Sequence, residues 1–187
     1  MRLENGFEVS ASVEQAWRLL NDVPSIVPCM PGAELVEVVD ENTWKAKLLV
    51  KLGPISLQFL TDVAREQTDE AGGRVVLGVK AREAKGRGNA EATIESTLAA
   101  ANGGTRVDIV TELTLRGAVA QYGRGVVADV ASRLTAQFAD CIARRLAEAQ
   151  SPSPSPEPVE APAPIGGLGL LLGSFWRSLF RRSRGAK

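Results

Sequence analysis

Histidine is absent from all 187 residues of the chain, which removes the usual general base near neutral pH and the commonest metal ligand. Cysteine occurs twice, at Cys29 and Cys141, too few and too scattered for a disulfide framework or a zinc spacing. Because Cys141 falls on a helical stripe expected to be buried, the two are not expected to pair. No neighbouring cation marks Cys29 as an activated thiol. No uninterrupted run of ~20 apolar residues occurs, so no transmembrane helix is expected. The opening MRLENGFEVS has no apolar h-region, so no secretory signal is expected either, and the folded part reads as cytoplasmic. The segments GRGNA and YGRGV lack the strand-to-helix context and the GxxxxGK(S/T) pattern of phosphate loops. Neither a catalytic set nor a metal site is expected.

Charge is balanced overall but unevenly placed. Residues 151–187 hold five of the 22 basic residues and two of the 22 acidic ones, leaving a body at −3 and a tail at +3. A slightly acidic body argues against nucleic acid as a partner.

The body reads as an α+β domain. Leu3, Phe7 and Val9 share one face of a first strand. Ser12 and Gln15 are spaced as a capping box, opening a short helix with Val13, Ala16, Trp17 and Leu20 on one stripe. VPSIVPCMPG is a turn-rich connection or a second brief helix. From Ala33 to Arg116 the pattern has period two. Trp44, Ala46, Leu48 and Val50 oppose Lys45, Lys47 and Lys51, and Leu57 and Phe59 continue the apolar face. Leu77, then Ala90, Ala92 and Ile94, then Leu113 alternate likewise, with Asn-Gly hairpin chemistry in ANGGT. After Gly117 the period changes. Val119, Tyr122, Val126, Val130, Leu134, Phe138 and Cys141 predict a long amphipathic helix, roughly 117 to 148, packed on the apolar face of the sheet.

A Pro-rich linker, 149–164, follows; its tract 151–164 is semi-rigid and spans roughly 40 Å at ~3.1 Å per residue. Beyond it, residues 165–187 place Leu168, Leu171, Leu172, Phe175 and Leu179 on one helical stripe beside Trp176 and Phe180. Arg177, Arg181, Arg182 and Arg184 follow. This is the pattern of an interfacial membrane anchor. Inserting four or five such side chains contributes about 6–12 kcal/mol before ordering costs, and each basic residue near anionic lipid adds ~1 kcal/mol.

The order of elements resembles the helix-grip, START-like (SRPBCC) superfamily, a curved antiparallel sheet wrapped around a long C-terminal helix. Within it the body, 1–148, resembles the CoxG family of carbon monoxide dehydrogenase subunits. VEQAWRLLND before CMPG at 29–32, KLGPISLQF at 51–59 and GRGNAEATI at 86–94 carry the likeness. GTRVDI at 104–109 and LRGAVAQYGRGVVADVASRLTAQF at 115–138 complete it.

That resemblance implies an accessory, non-catalytic protein. Its implied partners are a molybdenum hydroxylase such as carbon monoxide dehydrogenase, and the inner face of the cell membrane. Its implied ligand, not covalently held, is an isoprenoid quinone such as menaquinone or ubiquinone, carried in an internal cavity and delivered to the hydroxylase. The alternatives are an adaptor without a ligand, or a START-like enzyme or other lipid carrier. Candidate lining residues are Trp44, Leu57, Phe59, Leu77, Ala90, Ala92, Ile94, Leu113, Tyr122 and Val126, with the Tyr122 hydroxyl offered to a quinone carbonyl. Ala90, Ala92, Gly117, Gly123 and Gly125 are expected to leave the space.

Overall fold

The computed structural model describes residues 1–52 and 55–150. The chain divides into two units, 1–152 and 153–187, and only the first is described below. The linker and the anchor residues 165–187 lie outside the described residues.

The elements run β1 (Arg2–Val9), α1 (Val13–Asn21), α2 (Val23–Ile26), a 3-10 turn (Val27–Cys29), β2 (Ala33–Val38) and β3 (Thr43–Leu52). Then come β4 (Ile55–Asp69), β5 (Arg74–Glu83), β6 (Gly88–Ala101), β7 (Gly104–Gly117), a second 3-10 turn (Ala118–Tyr122) and α3 (Gly123–Gln150). One seven-stranded sheet results, in the order β1-β7-β6-β5-β4-β3-β2, every pair antiparallel. The alternating pattern predicts the one-faced sheet and its long helix, and their arrangement is the helix-grip architecture that the resemblance implies.

Local chemistry accounts for the joints. Ser12 caps α1, and Gln15 reaches back to the Ser12 backbone N–H, a complete capping box. Asn102 and Gly103, both at positive φ (45° and 81°), turn β6 into β7, the conformation two-residue hairpins require. Bulges at Leu35/Glu37 and Arg65/Gln67 bend the far strands. The predicted long helix differs at its start. Gly117 and Gly123 both take positive φ, 77° and 74°, and the five residues between them form the second 3-10 turn. Two positive-φ positions cannot lie inside a continuous α-helix, so α3 starts only at the second of them, Gly123.

Buried apolar residues fall into two groups. One joins Val9, Ala16, Trp17, Cys29, Val75, Leu98 and Val107 to Phe138, Ile142 and Leu146 of α3. Phe7 meets Phe138 there edge-on, with ring centroids 6.1 Å apart. The smaller group is Leu57, Phe59, Ala81 and Val119. Inner-face residues between the groups are only partly covered.

The expectation for the cysteines is overturned. Cys29 and Cys141 form a disulfide with Cα atoms 5.4 Å apart. Their separation of 112 residues says nothing of their distance once the first 3-10 turn packs against α3. The buried stripe that argued against pairing is what brings Cys141 to Cys29. A bridge closing a loop this long contributes ~2–4 kcal/mol, mainly by restricting the unfolded chain. Urea titrations should therefore show the Cys29→Ala/Cys141→Ala double variant less stable by about that amount. Two titratable thiols in the denatured, unreduced wild type would refute the bridge.

Candidate functional site: an apolar cavity

Between the two packed groups lies a partly open cavity of about 480 Å³, within the range of small-molecule sites. Its floor is the inner face of β3 to β7: Ala46, Leu48 and Val50, then Leu57, Phe59, Thr61 and Val63, continuing through Leu77, Val79, Ala81, Ala90, Ala92 and Ile94 to Ile109, Leu113 and Leu115. Val126, Val127, Val130, Leu134 and Phe138 of α3 face the floor, and Val23, Ile26, Val27 and Met30 form a further wall. That wall belongs to α2 and the first 3-10 turn. It is fastened to α3 by the Cys29–Cys141 bridge and by Arg145, which donates to the Ser25 carbonyl.

Among the described residues no acidic side chain lines the cavity, and the one cationic residue is Lys47, which pairs with Leu60 and Glu34 on the alternate, outer face. The remaining polar residues are Asn5, Thr61, Ser96, Thr111, Tyr122 and Thr135. At ~24 cal/mol per Å³, an empty, sealed space of this size would cost on the order of 10 kcal/mol, comparable with the whole stability of a domain. Such a space is compatible with a folded protein when solvent reaches it or a ligand fills it. Water is poorly satisfied against so few polar groups.

Nine of the ten residues proposed from sequence line this space: Leu57, Phe59, Leu77, Ala90, Ala92, Ile94, Leu113, Tyr122 and Val126. Trp44 does not. It is 3% exposed and lies under the Arg65 guanidinium, 5.1 Å from the ring centroid. Arg65 also donates to the Asn21 carbonyl, so Trp44 belongs to a joint between the end of α1 and the β3–β4 hairpin. The glycines are a second correction, because none of the three lines the cavity. Gly117 serves a close backbone approach, where an added Cβ would meet Gly88 Cα at 2.8 Å, and nothing lies within 4 Å of one at Gly123 or Gly125. Alanines 46, 81, 90, 92 and 131 border the space instead. The Val23–Met30 wall and Thr61 were missed. A turn-rich segment has no periodicity to betray an inward face, and a threonine on an alternating strand looks like any other.

The profile of the CoxG family, described as a subunit of carbon monoxide dehydrogenase, matches residues 6–147. No curated protein matches the chain. Among solved structures, a conserved protein from Geobacillus kaustophilus is similar at 21% identity with a TM-score of 0.71, over 80% of this chain and 97% of that one. The Zhui aromatase/cyclase from Streptomyces sp. R1128 is similar at 13% identity and TM-score 0.58, over 79% and 94%. Ara h 8.0201 follows at 14% identity and TM-score 0.54, over 79% and 98%. At such identities these likenesses concern the fold alone.

An aromatase/cyclase among the similar folds raises the question of a buried acid. Among the described residues the buried carboxylate is Glu83, 5% exposed, which does not line the cavity. Its Oε2 accepts the backbone N–H groups of Arg87 at 3.0 Å and Lys85 at 2.8 Å, closing the β5–β6 turn. The Arg87 N–H foremost, then that of Lys85 and both side-chain cations, hold its pKa below the ordinary value against the opposing effect of burial. A carboxylate so held stays ionised and anchors a turn; it is not poised to donate a proton. Because its folded pKa is lowered, its stabilisation is present above the ordinary glutamate pKa and is lost as pH falls through the folded value. Glu83→Gln should flatten the acid limb of the melting-temperature profile, with most of its destabilisation at neutral pH. Parallel wild-type and variant profiles across that limb would count against this role.

Proposed function

Because the chain belongs to the CoxG family of carbon monoxide dehydrogenase subunits, we propose that it is an accessory carrier that takes an isoprenoid quinone into the helix-grip cavity and presents it to a molybdenum hydroxylase of the carbon monoxide dehydrogenase type. The observation that carries this reading is the cavity of about 480 Å³ with its almost wholly apolar lining. Such a space shields a ring and the first part of a prenyl chain from water. Catalysis would then belong to the partner, and this chain would supply binding, shielding and location.

In the same reading, residues 165–187 hold the protein at the inner face of the cell membrane through Leu168, Leu171, Leu172, Phe175, Trp176, Leu179 and Phe180. Arg177, Arg181 and Arg182 would meet anionic headgroups. Attachment of this strength is reversible, which suits a carrier that must leave one surface for another. The Cys29–Cys141 bridge bears on location, since disulfides are rare in a reducing cytosol; burial of Cys29, 4% exposed, shields it from soluble thiols.

The test is native mass spectrometry with organic extraction on full-length protein purified gently from its host's membranes. A quinone-sized adduct near one per chain, retained after residues 151–187 are cut away, is expected. Ligand-free protein that still captures a hydroxylase would reduce the role to that of an adaptor. In flotation with anionic vesicles, deletion of 165–187 should release the protein to the soluble fraction. Arg177→Glu/Arg181→Glu/Arg182→Glu should weaken binding most at low ionic strength, the difference from wild type shrinking as salt screens the headgroup charge.

A further inference from the structure

One lining residue is out of keeping with its surroundings. Thr61, on β4, is 8% exposed, lines the cavity, and its hydroxyl has no hydrogen-bond partner among the described residues. Its cross-strand neighbours are alanines on both sides, Ala46 on β3 and Ala81 on β5, and Ala81 in turn pairs with Ala90. The alanines keep the floor low on either side of Thr61, whose side chain borders the cavity while its hydroxyl oxygen is itself buried.

The same domain shows how a buried threonine is satisfied when its role is structural. Thr105 is fully buried, and its Oγ1 donates to the Ala11 carbonyl at 2.8 Å. Thr61 has no such arrangement. An unsatisfied buried hydroxyl is destabilising, and valine has the same shape without that defect. As a pure packing residue Thr61 would be the poorer choice. As a donor to a ligand oxygen it needs only a change of χ1 rotamer. The residue borders the cavity, and stepping from one staggered well to the next exchanges its methyl and hydroxyl positions, so that a group entering the cavity can complete the hydrogen bonding.

We propose that Thr61 is the polar anchor of the cavity. It recognises an apolar ligand that carries a carbonyl oxygen, accepts a hydrogen bond from Thr61 Oγ1 and is seated against the Ala46–Thr61–Ala81 row. This orients the ligand: its polar ring lies inside the domain, on the sheet, and not at the mouth. The inference rests on the carrier reading above and adds the part of the site that distinguishes a carbonyl-bearing ligand from a plain hydrocarbon of equal bulk.

The experiment uses the full chain and two compounds, a 1,4-benzoquinone bearing a decyl chain and decylbenzene, which has the same tail without carbonyls. Wild type should prefer the quinone. Thr61→Val should weaken quinone binding roughly tenfold, the worth of one buried hydrogen bond, and leave decylbenzene unchanged. Thr61→Ser, which keeps the hydroxyl, should retain the preference, and ligand-free Thr61→Val should melt no lower than wild type. Equal loss for both compounds, no loss for either, or a lower melting temperature of the free valine variant would overturn the anchor while leaving a binding cavity in place. Failure of wild type to bind either compound would overturn the anchor together with the carrier reading.

Discussion

The folded unit depends on a mismatch of widths. Seven antiparallel strands, about 4.8 Å apart, make a surface roughly 29 Å across, and one helix about 10 Å wide is the main element available to cover its apolar face. Curvature from the two bulges narrows the gap without closing it. Packing is completed where α3 meets β1, α1 and the strands beside them, and again around Leu57, Phe59 and Val119. Between these groups the inner residues have apolar neighbours on the sheet and too few above it. Protein interiors are ordinarily close-packed, so a space of this size is set by the architecture.

The second wall follows from the same constraint. A four-residue helix and a single 3-10 turn have no independent stability; their place is set by what they touch. Pro24 and Pro28 end the regular hydrogen bonding, the Asp22 side chain caps Ser25, and the Cys29–Cys141 bridge ties the segment to α3 one turn beyond Phe138. The position of this wall is thus governed by one covalent link and a few contacts, while the floor is governed by an entire sheet.

Among the described residues, charged groups other than Glu83 lie at least partly exposed, and no acidic side chain lines the cavity. Ion pairs such as Arg74–Glu95 and Arg116–Glu91 link neighbouring strands, and exposed pairs of this kind contribute little each. Glu83 is the exception in being buried, and its carboxylate is consumed by a turn. What remains inside is a hydrocarbon-like space with a few hydroxyls. That environment suits holding an apolar molecule more than acid–base chemistry, and it is the physical basis for proposing a carrier in a family named after a dehydrogenase.

Much of this was legible in the sequence. Period-two alternation from Ala33 to Arg116 and the stripe Val119 to Cys141 fixed which faces are apolar, so the sheet, the helix and nine of the lining residues followed from patterning. Ser12 with Gln15 and Asn102 with Gly103 fixed two joints, because cap and turn chemistry act within four residues. Other matters were decided only by tertiary structure. Trp44 shares the inward parity of Ala46 and Leu48 yet lies beyond the cavity's reach under Arg65. Cys29 and Cys141 meet although 112 residues separate them, and Thr61 lacks the partner that Thr105 has. Each of these depends on which distant segment arrives opposite a residue, and alternation records the face a side chain takes but not what stands across from it.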